Sequence, residues 1–176
     1  MRYGTGMGLL WAFKFMLFPL GLRIPFLQLL FIVLTIGVPF LGYIFAKKFR
    51  ERHCDGSITF SRAFLFTTFM YMFASLFVAV VHYIYFRYID GGFVFEAYRS
   101  ILNQFKETAG AELTTSLNQF EEAIDLLSGL TPLEMTFQLI SQNMFYGMLM
   151  AIPTALIVMR KKKNCLLYTS PSPRDA

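Results

Sequence analysis

Lys14 interrupts an otherwise uncharged apolar run from Tyr3 to Leu22. An ionisable group inside so apolar a segment is costly, which makes it the first candidate for chemistry. Four further polar residues fall inside other apolar runs: Gln28, His82, Gln142 and Asn143. If Leu22 marks one membrane boundary, Lys14 lies about 12 Å below it at a rise of about 1.5 Å per residue. Counted inward from Leu133, Gln142 and Asn143 reach a similar depth, with His82 slightly shallower and Gln28 near the top of its run. An ammonium, an imidazole and three carboxamides gathered in this way form a binding site for a ligand or ion. The competing reading makes Lys14 the mark of a shorter or tilted helix and the amides a glue between helices.

Other candidate chemistry falls away on inspection. Cys54 stands beside His53, but a structural zinc takes about four ligands and no further set accompanies the pair. Gly4-Thr5-Gly6-Met7-Gly8 lacks the third glycine that a dinucleotide loop requires, because position 9 is Leu. The two histidines, His53 and His82, are assigned to opposite faces of a membrane and cannot cooperate. No nucleophile–base set is present, so the expectation is a non-enzymatic chain without catalytic residues, metal or cofactor.

The elements that must position these residues are helices in lipid. Hydrophobic residues make up 56% of the 176-residue chain and charged ones only 15%, with mean hydropathy +0.51; a soluble domain carries about 25% charge. Runs of about 20 apolar residues suffice to cross a bilayer, and four are present, at about 3–22, 25–46, 63–89 and 133–159. The first is the weakest, because of Lys14 and its early glycines. A signal peptide is the competing reading of this run, but only Arg2 precedes it and no small-x-small site follows before Pro25. The fourth opens on Thr131-Pro132-Leu133-Glu134, a capping box with proline at the first helical position. Pro19, Pro39 and Pro153 are expected to kink their helices.

Between the third and fourth runs, residues 93–129 place Tyr98, Ile101, Leu102, Phe105, Ala109, Leu113, Leu117, Phe120, Ile124 and Leu127 at steps of three and four. That is the period of an amphipathic helix or pair of helices, with a break at Gly110 and a stop at Ser128-Gly129. Its face is acidic, unlike the basic face of helices that bind anionic lipid. Such a loop is a cap on the bundle or a recognition element for a partner. Arg87 and Asp90, three apart, are expected to pair, and His82 to Tyr88 reads as an aromatic belt. Small residues at Gly147, Ala151 and Ala155, and at Ser75 and Ala79, permit close packing within the bundle or in a homo-oligomer.

Orientation follows from the basic residues. Placing the N-terminus inside puts Arg2, Lys47, Lys48, Arg50, Arg52, Arg62, Arg160, Lys161, Lys162 and Lys163 on the cytoplasmic side, ten against the four Arg23, Arg87, Arg99 and Lys106. Cytoplasmic loops are the ones enriched in Lys and Arg. The expected fold is therefore an all-α membrane protein: one domain over 1–164, four transmembrane helices and an amphipathic helical outer loop, both ends cytoplasmic. The segment 165–176 matches one reading frame of a common transposase sequencing adapter and is expected not to belong to the protein; a short natural Ser/Pro tail is the competing reading. Expected partners are the lipid bilayer and a protein partner or second copy, with no nucleic acid. The favoured function is structural or partner-directed work in the envelope; the runner-up is a small transporter or channel subunit using the polar cluster. No acidic residue lies within a span, which argues against proton coupling.

With those landmarks placed, the chain resembles a bacterial membrane-protein family, domain of unknown function 4199. The matching features are Gly8, Trp11, Lys14 and Phe15, then Val38-Pro39-Phe40-Leu41, and the Asp55-Gly56-Ser57-Ile58-Thr59-Phe60 turn. His82-Tyr83-Ile84-Tyr85-Phe86-Arg87-Tyr88-Ile89-Asp90 is the most specific of them, and the basic ending after Met159 also fits. The resemblance runs from Gly8 to Lys163. It implies a small four-helix inner-membrane protein of Gram-negative bacteria without an assigned activity.

Overall fold

The structure, a computed structural model, describes residues 2–108 and 111–160. The expectations about Ala109, Gly110, Lys161 to Lys163 and the segment 165–176 lie outside the described residues. Among the described residues six helices follow one another: α1 (Arg2–Gly21), α2 (Pro25–His53), α3 (Phe60–Tyr88), α4 (Phe93–Thr108), α5 (Ala111–Ser128) and α6 (Pro132–Val158). The fold is all-α, as expected, and each apolar run lies in a long helix. Two of the four, α2 and α3, are long and apolar enough by composition to cross a membrane. Lys14 and the early glycines dilute α1, and Gln138, Gln142 and Asn143 dilute α6.

Local sequence sets the helix ends. Ile24, extended because a residue before proline avoids the helical region, separates α1 from Pro25 at the first position of α2. The capping box of α6 forms as read: the Glu134 amide donates to Thr131 Oγ1 at 3.3 Å, and the Thr131 amide donates to Glu134 Oε2 at 2.8 Å. Helix α5 ends at Ser128, where the Gly129 amide turns back to the Asp125 carbonyl. Helix α2 runs past the expected Ala46 to His53, since nothing in Lys47 to Arg52 breaks a helix.

The four long helices form a bundle in which α1 packs on α2 and α3, and α6 packs on α3 and α2. Helix α3 is the most enclosed, with Thr67, Met70, Tyr71, Ala74, Ser75, Val78 and His82 all buried. Its Tyr71 is the keystone of the core. The ring stacks on Trp11 of α1 at 5.7 Å. A Cβ added to Gly147 of α6 would fall 2.7 Å from Tyr71 Cβ, and one added to Gly42 of α2 would fall 2.2 Å from Tyr71 Oη. Only glycine leaves room at either contact. Ala151 and Ala155 continue the Gly147 ridge fully buried, so those small residues are used inside the bundle. Helices α1 and α6 face each other diagonally with little direct contact, and space remains between them.

At the α2–α3 end a clasp closes the bundle. Asp55 and Gly56 take positive φ (48° and 76°), turning the chain so that Ile58 exchanges two backbone hydrogen bonds with Arg160, at 3.0 and 2.9 Å. Arg50 Nη1 donates to the Val158 carbonyl at 2.9 Å. Beneath the clasp Ala46, Cys54, Ile58, Ala63, Ala155 and Val158 form a second core. At the opposite end α4 and α5 pair as a hairpin, tied by Arg99 with Asp125 at 2.8 Å and by Lys106 with Glu121.

Candidate functional site

Helix α1 places Trp11, Lys14, Phe15 and Phe18 on one face, at the three- and four-residue steps that bring side chains together. Lys14 extends to 5.3 Å from the centre of the Phe31 ring on α2, within the reach of a cation–π contact. Phe15 meets His82 of α3 edge-on at 4.2 Å. From the far side α6 presents Leu139 and Asn143, one turn apart. These residues line a half-open cavity of about 190 Å³ whose lining includes Trp11, Lys14, His82 and Asn143.

A larger cavity, about 490 Å³, adjoins it between α2 and α6. Its walls are Ile36, Val38, Pro39, Phe40, Tyr146, Met150 and Gly147, with Thr35 and Tyr71. Trp11, Lys14 and Asn143 line both cavities and stand where they meet. Neither lining contains a carboxylate.

The polar atoms of this site are unspent. Trp11 Nε1, Tyr71 Oη and His82 Nδ1 are buried and make no hydrogen bond, although the residues are only 8%, 1% and 4% exposed. Leaving such a group unpaired costs about 1–3 kcal/mol, and native interiors carry few of them. Among the described residues Lys14 makes no ion pair; it lies over the Phe31 ring and shares the cavity lining with the His82 imidazole. The site thus sets an ammonium and a carboxamide beside an otherwise apolar space walled in part by the Trp11, Tyr71 and His82 rings.

Three of the five sequence candidates therefore meet: Lys14, His82 and Asn143. Two do not. Gln142, one residue before Asn143 and so about 100° round the helix, is exposed on the outside of α6. Gln28 packs against the end of α1, its Oε1 2.6 Å from where a Gly21 side chain would begin, and finds no partner. Sequence reasoning missed Trp11 and Tyr71. The spacing of Trp11 and Lys14 carried a signal for the first; the second depends on two glycines from helices distant in sequence.

The expected Arg87–Asp90 pair gives way to a different arrangement. Asp90, buried, instead accepts from the amides of Gly92 at 3.1 Å and Val94 at 3.2 Å, satisfying free donors at the start of α4. Positive φ at Gly91 and Gly92 allows the reversal that brings those amides round. Arg87 stacks toward Tyr88 at 5.8 Å. Arg23 covers Phe93 at 4.2 Å, and Tyr98 packs beside Phe18, where burial pushes its hydroxyl pKa up. The hairpin is otherwise loosely engaged, with Phe105, Leu113, Phe120 and Leu126 exposed. His53 and His82 lie at opposite ends of α2 and α3, and among the described residues no group of three His, Cys, Asp or Glu could hold a metal.

Comparison with known proteins agrees with the resemblance read from the motifs. The chain matches the family described as Protein of unknown function (DUF4199) over residues 2–160, and it belongs to that family. No curated protein and no solved structure matches it.

Proposed function

We propose that this member of a family of unknown function is a four-span integral protein of the bacterial inner membrane that works without catalysis, through contact with a partner in the envelope. The observation that carries the reading is the apolar exterior of all four bundle helices. Leu9, Phe13 and Met16 on α1, Phe26, Leu29, Val33 and Phe40 on α2, Leu65, Phe69 and Val80 on α3, and Phe137, Phe145 and Leu156 on α6 are all exposed. A band of that extent is far larger than the patches soluble monomers tolerate. Helix α2 has only 17% of its most apolar stretch buried, whereas the core helix of a soluble protein is enclosed. Helix α1 turns Lys14 to the cavity, so its outer face is more apolar than its average.

Charge supports the orientation. Lys47, Lys48, Arg50, Arg52, Arg62 and Arg160 gather at the clasped end, which is the cytoplasmic side by the positive-inside rule. The acidic α4–α5 hairpin then stands on the outer face. A partner has two features to meet: the exposed apolar residues of the hairpin, and Gln138 with Gln142, one turn apart and exposed on α6. Carboxamides on a lipid-facing surface are groups a neighbouring helix can hydrogen-bond.

Alkaline phosphatase fused after Gly129 is expected to be active and, fused after Arg160, inactive, with the chain retained in membranes after carbonate extraction. Recovery in the carbonate supernatant overturns the membrane reading. Co-purification of a stable partner that is lost on Gln138→Leu with Gln142→Leu supports the interaction role. Solute or ion flux through liposomes holding the purified chain alone overturns that role in favour of a small transporter or channel subunit, the reading favoured by the cavity at Lys14.

A further inference from the structure

We infer that the joined cavities at Lys14 bind a monoanionic amphiphile, an acyl chain ending in a carboxylate, with the head at Lys14 and the chain in the larger cavity. An unpaired ammonium inside an apolar bundle is unfavourable, and an anion is the partner that removes the penalty. The site holds one cation and no carboxylate, which matches a single negative charge better than a doubly charged phosphate. Asn143 lines the same junction as Lys14, and its carboxamide N–H can donate to a carboxylate oxygen. Trp11 lines both cavities beside Lys14, its indole nitrogen itself covered by neighbouring protein atoms.

The rest of the volume suits the tail. About 490 Å³ lined by Ile36, Val38, Pro39, Phe40 and Met150 falls in the size range of small-molecule sites, which are apolar with a few convergent polar groups. The smaller, half-open cavity beside it is lined by Phe15, Phe18, Leu139 and the His82 ring. Tyr71 is fixed by Gly42, Gly147 and Trp11, so the wall is preformed and binding requires little rearrangement.

The site rests on the membrane reading only for its route of entry, and the test separates the two. Trp11 is the chain's one tryptophan and lines both cavities, so its emission reports contact directly. The chain in lipid nanodiscs is titrated with a dibrominated stearic acid and, separately, with its methyl ester. Both partition into the bilayer and quench at random, but only the acid is expected to add a saturable component. Lys14→Met should weaken that component about tenfold or more, the loss expected for one charge-assisted hydrogen bond, and Lys14→Arg should restore it. Equal saturable quenching by acid and ester, or an unchanged Lys14→Met, overturns the inference, as does displacement of the acid by millimolar inorganic phosphate. Carbonate extraction of the same preparation decides the membrane reading independently. A chain that proves extractable is titrated without lipid against the same pair, with the same outcomes deciding.

Discussion

Gly42→Ala tests whether Tyr71 is held as described. The new Cβ would lie 2.2 Å from Tyr71 Oη and 3.1 Å from Cζ, so the hydroxyl must retreat by about 1 Å to reach ordinary contact. Retreat is blocked: Trp11 stacks on the ring, and the α6 backbone at Gly147 leaves no room behind the Tyr71 Cβ. Overpacking of this kind costs about 1–3 kcal/mol, offset by about 1 kcal/mol of helix propensity gained over glycine. The expected net loss is therefore about 0–2 kcal/mol. Tyr71→Phe removes the offending oxygen, which has no hydrogen bond to lose, and should itself be stabilising by about 1–3 kcal/mol. In the Tyr71→Phe background Gly42→Ala should become neutral or stabilising, a coupling of about 1–2 kcal/mol between the sites. Gly147→Ala supplies the contrast, because its clash is with Tyr71 Cβ at 2.7 Å and Phe retains that atom. Its cost should be the same in both backgrounds. Equilibrium unfolding in mixed micelles, followed by circular dichroism and Trp11 emission, measures all of these variants. A Gly42→Ala cost that is equal in the two backgrounds, within about 0.3 kcal/mol, refutes the account.

Thr131→Ala removes the cap of α6 and should cost about 1 kcal/mol, with faster amide exchange confined to the first turn, at Glu134 and Met135. Gly56→Val forces a β-branched side chain into φ +76°, costing about 1–2 kcal/mol; it should loosen the clasp and raise maleimide labelling of Cys54, buried in the native fold, in a Cys165→Ser background. Unchanged labelling would mean that the turn does not hold the clasp closed. Arg99→Ala breaks an exposed pair and should alter global stability by less than about 1 kcal/mol, while exchange in α4 and α5 rises.

What the sequence disclosed followed physical range. Helix positions, the Thr131 cap and the Ser128 stop are set by neighbours within a few residues, and all three are legible from spacing alone. The Arg87–Asp90 expectation failed because residue spacing says nothing about a competitor: two backbone amides, brought round by Gly91 and Gly92, claim the carboxylate first. Depth along a helix is also readable from sequence, and it brought Lys14, His82 and Asn143 to one level. Azimuth is not. Gln142 shares that depth and points outward, and Gln28 packs on the chain end, because which face turns inward is settled by contacts with other helices.

The same division explains why the cavity itself was invisible. Its existence depends on α1 and α6 facing each other across the bundle without packing closely. Helix α3 packs on both of them, and its Tyr71 reaches from Gly42 of α2 to Gly147 of α6. A bulky keystone seated in two glycines can hold the diagonal open while α6 still lies tight on α3. The polar atoms packed in the walls, on Trp11, Tyr71 and His82, make no hydrogen bond. A bundle built only for stability could close that gap with a smaller residue at position 71 and larger ones at 42 and 147, and would pair or remove those atoms. The proposed amphiphile site rests on what lies beside that packing: a lysine for which the two cavity linings supply no carboxylate.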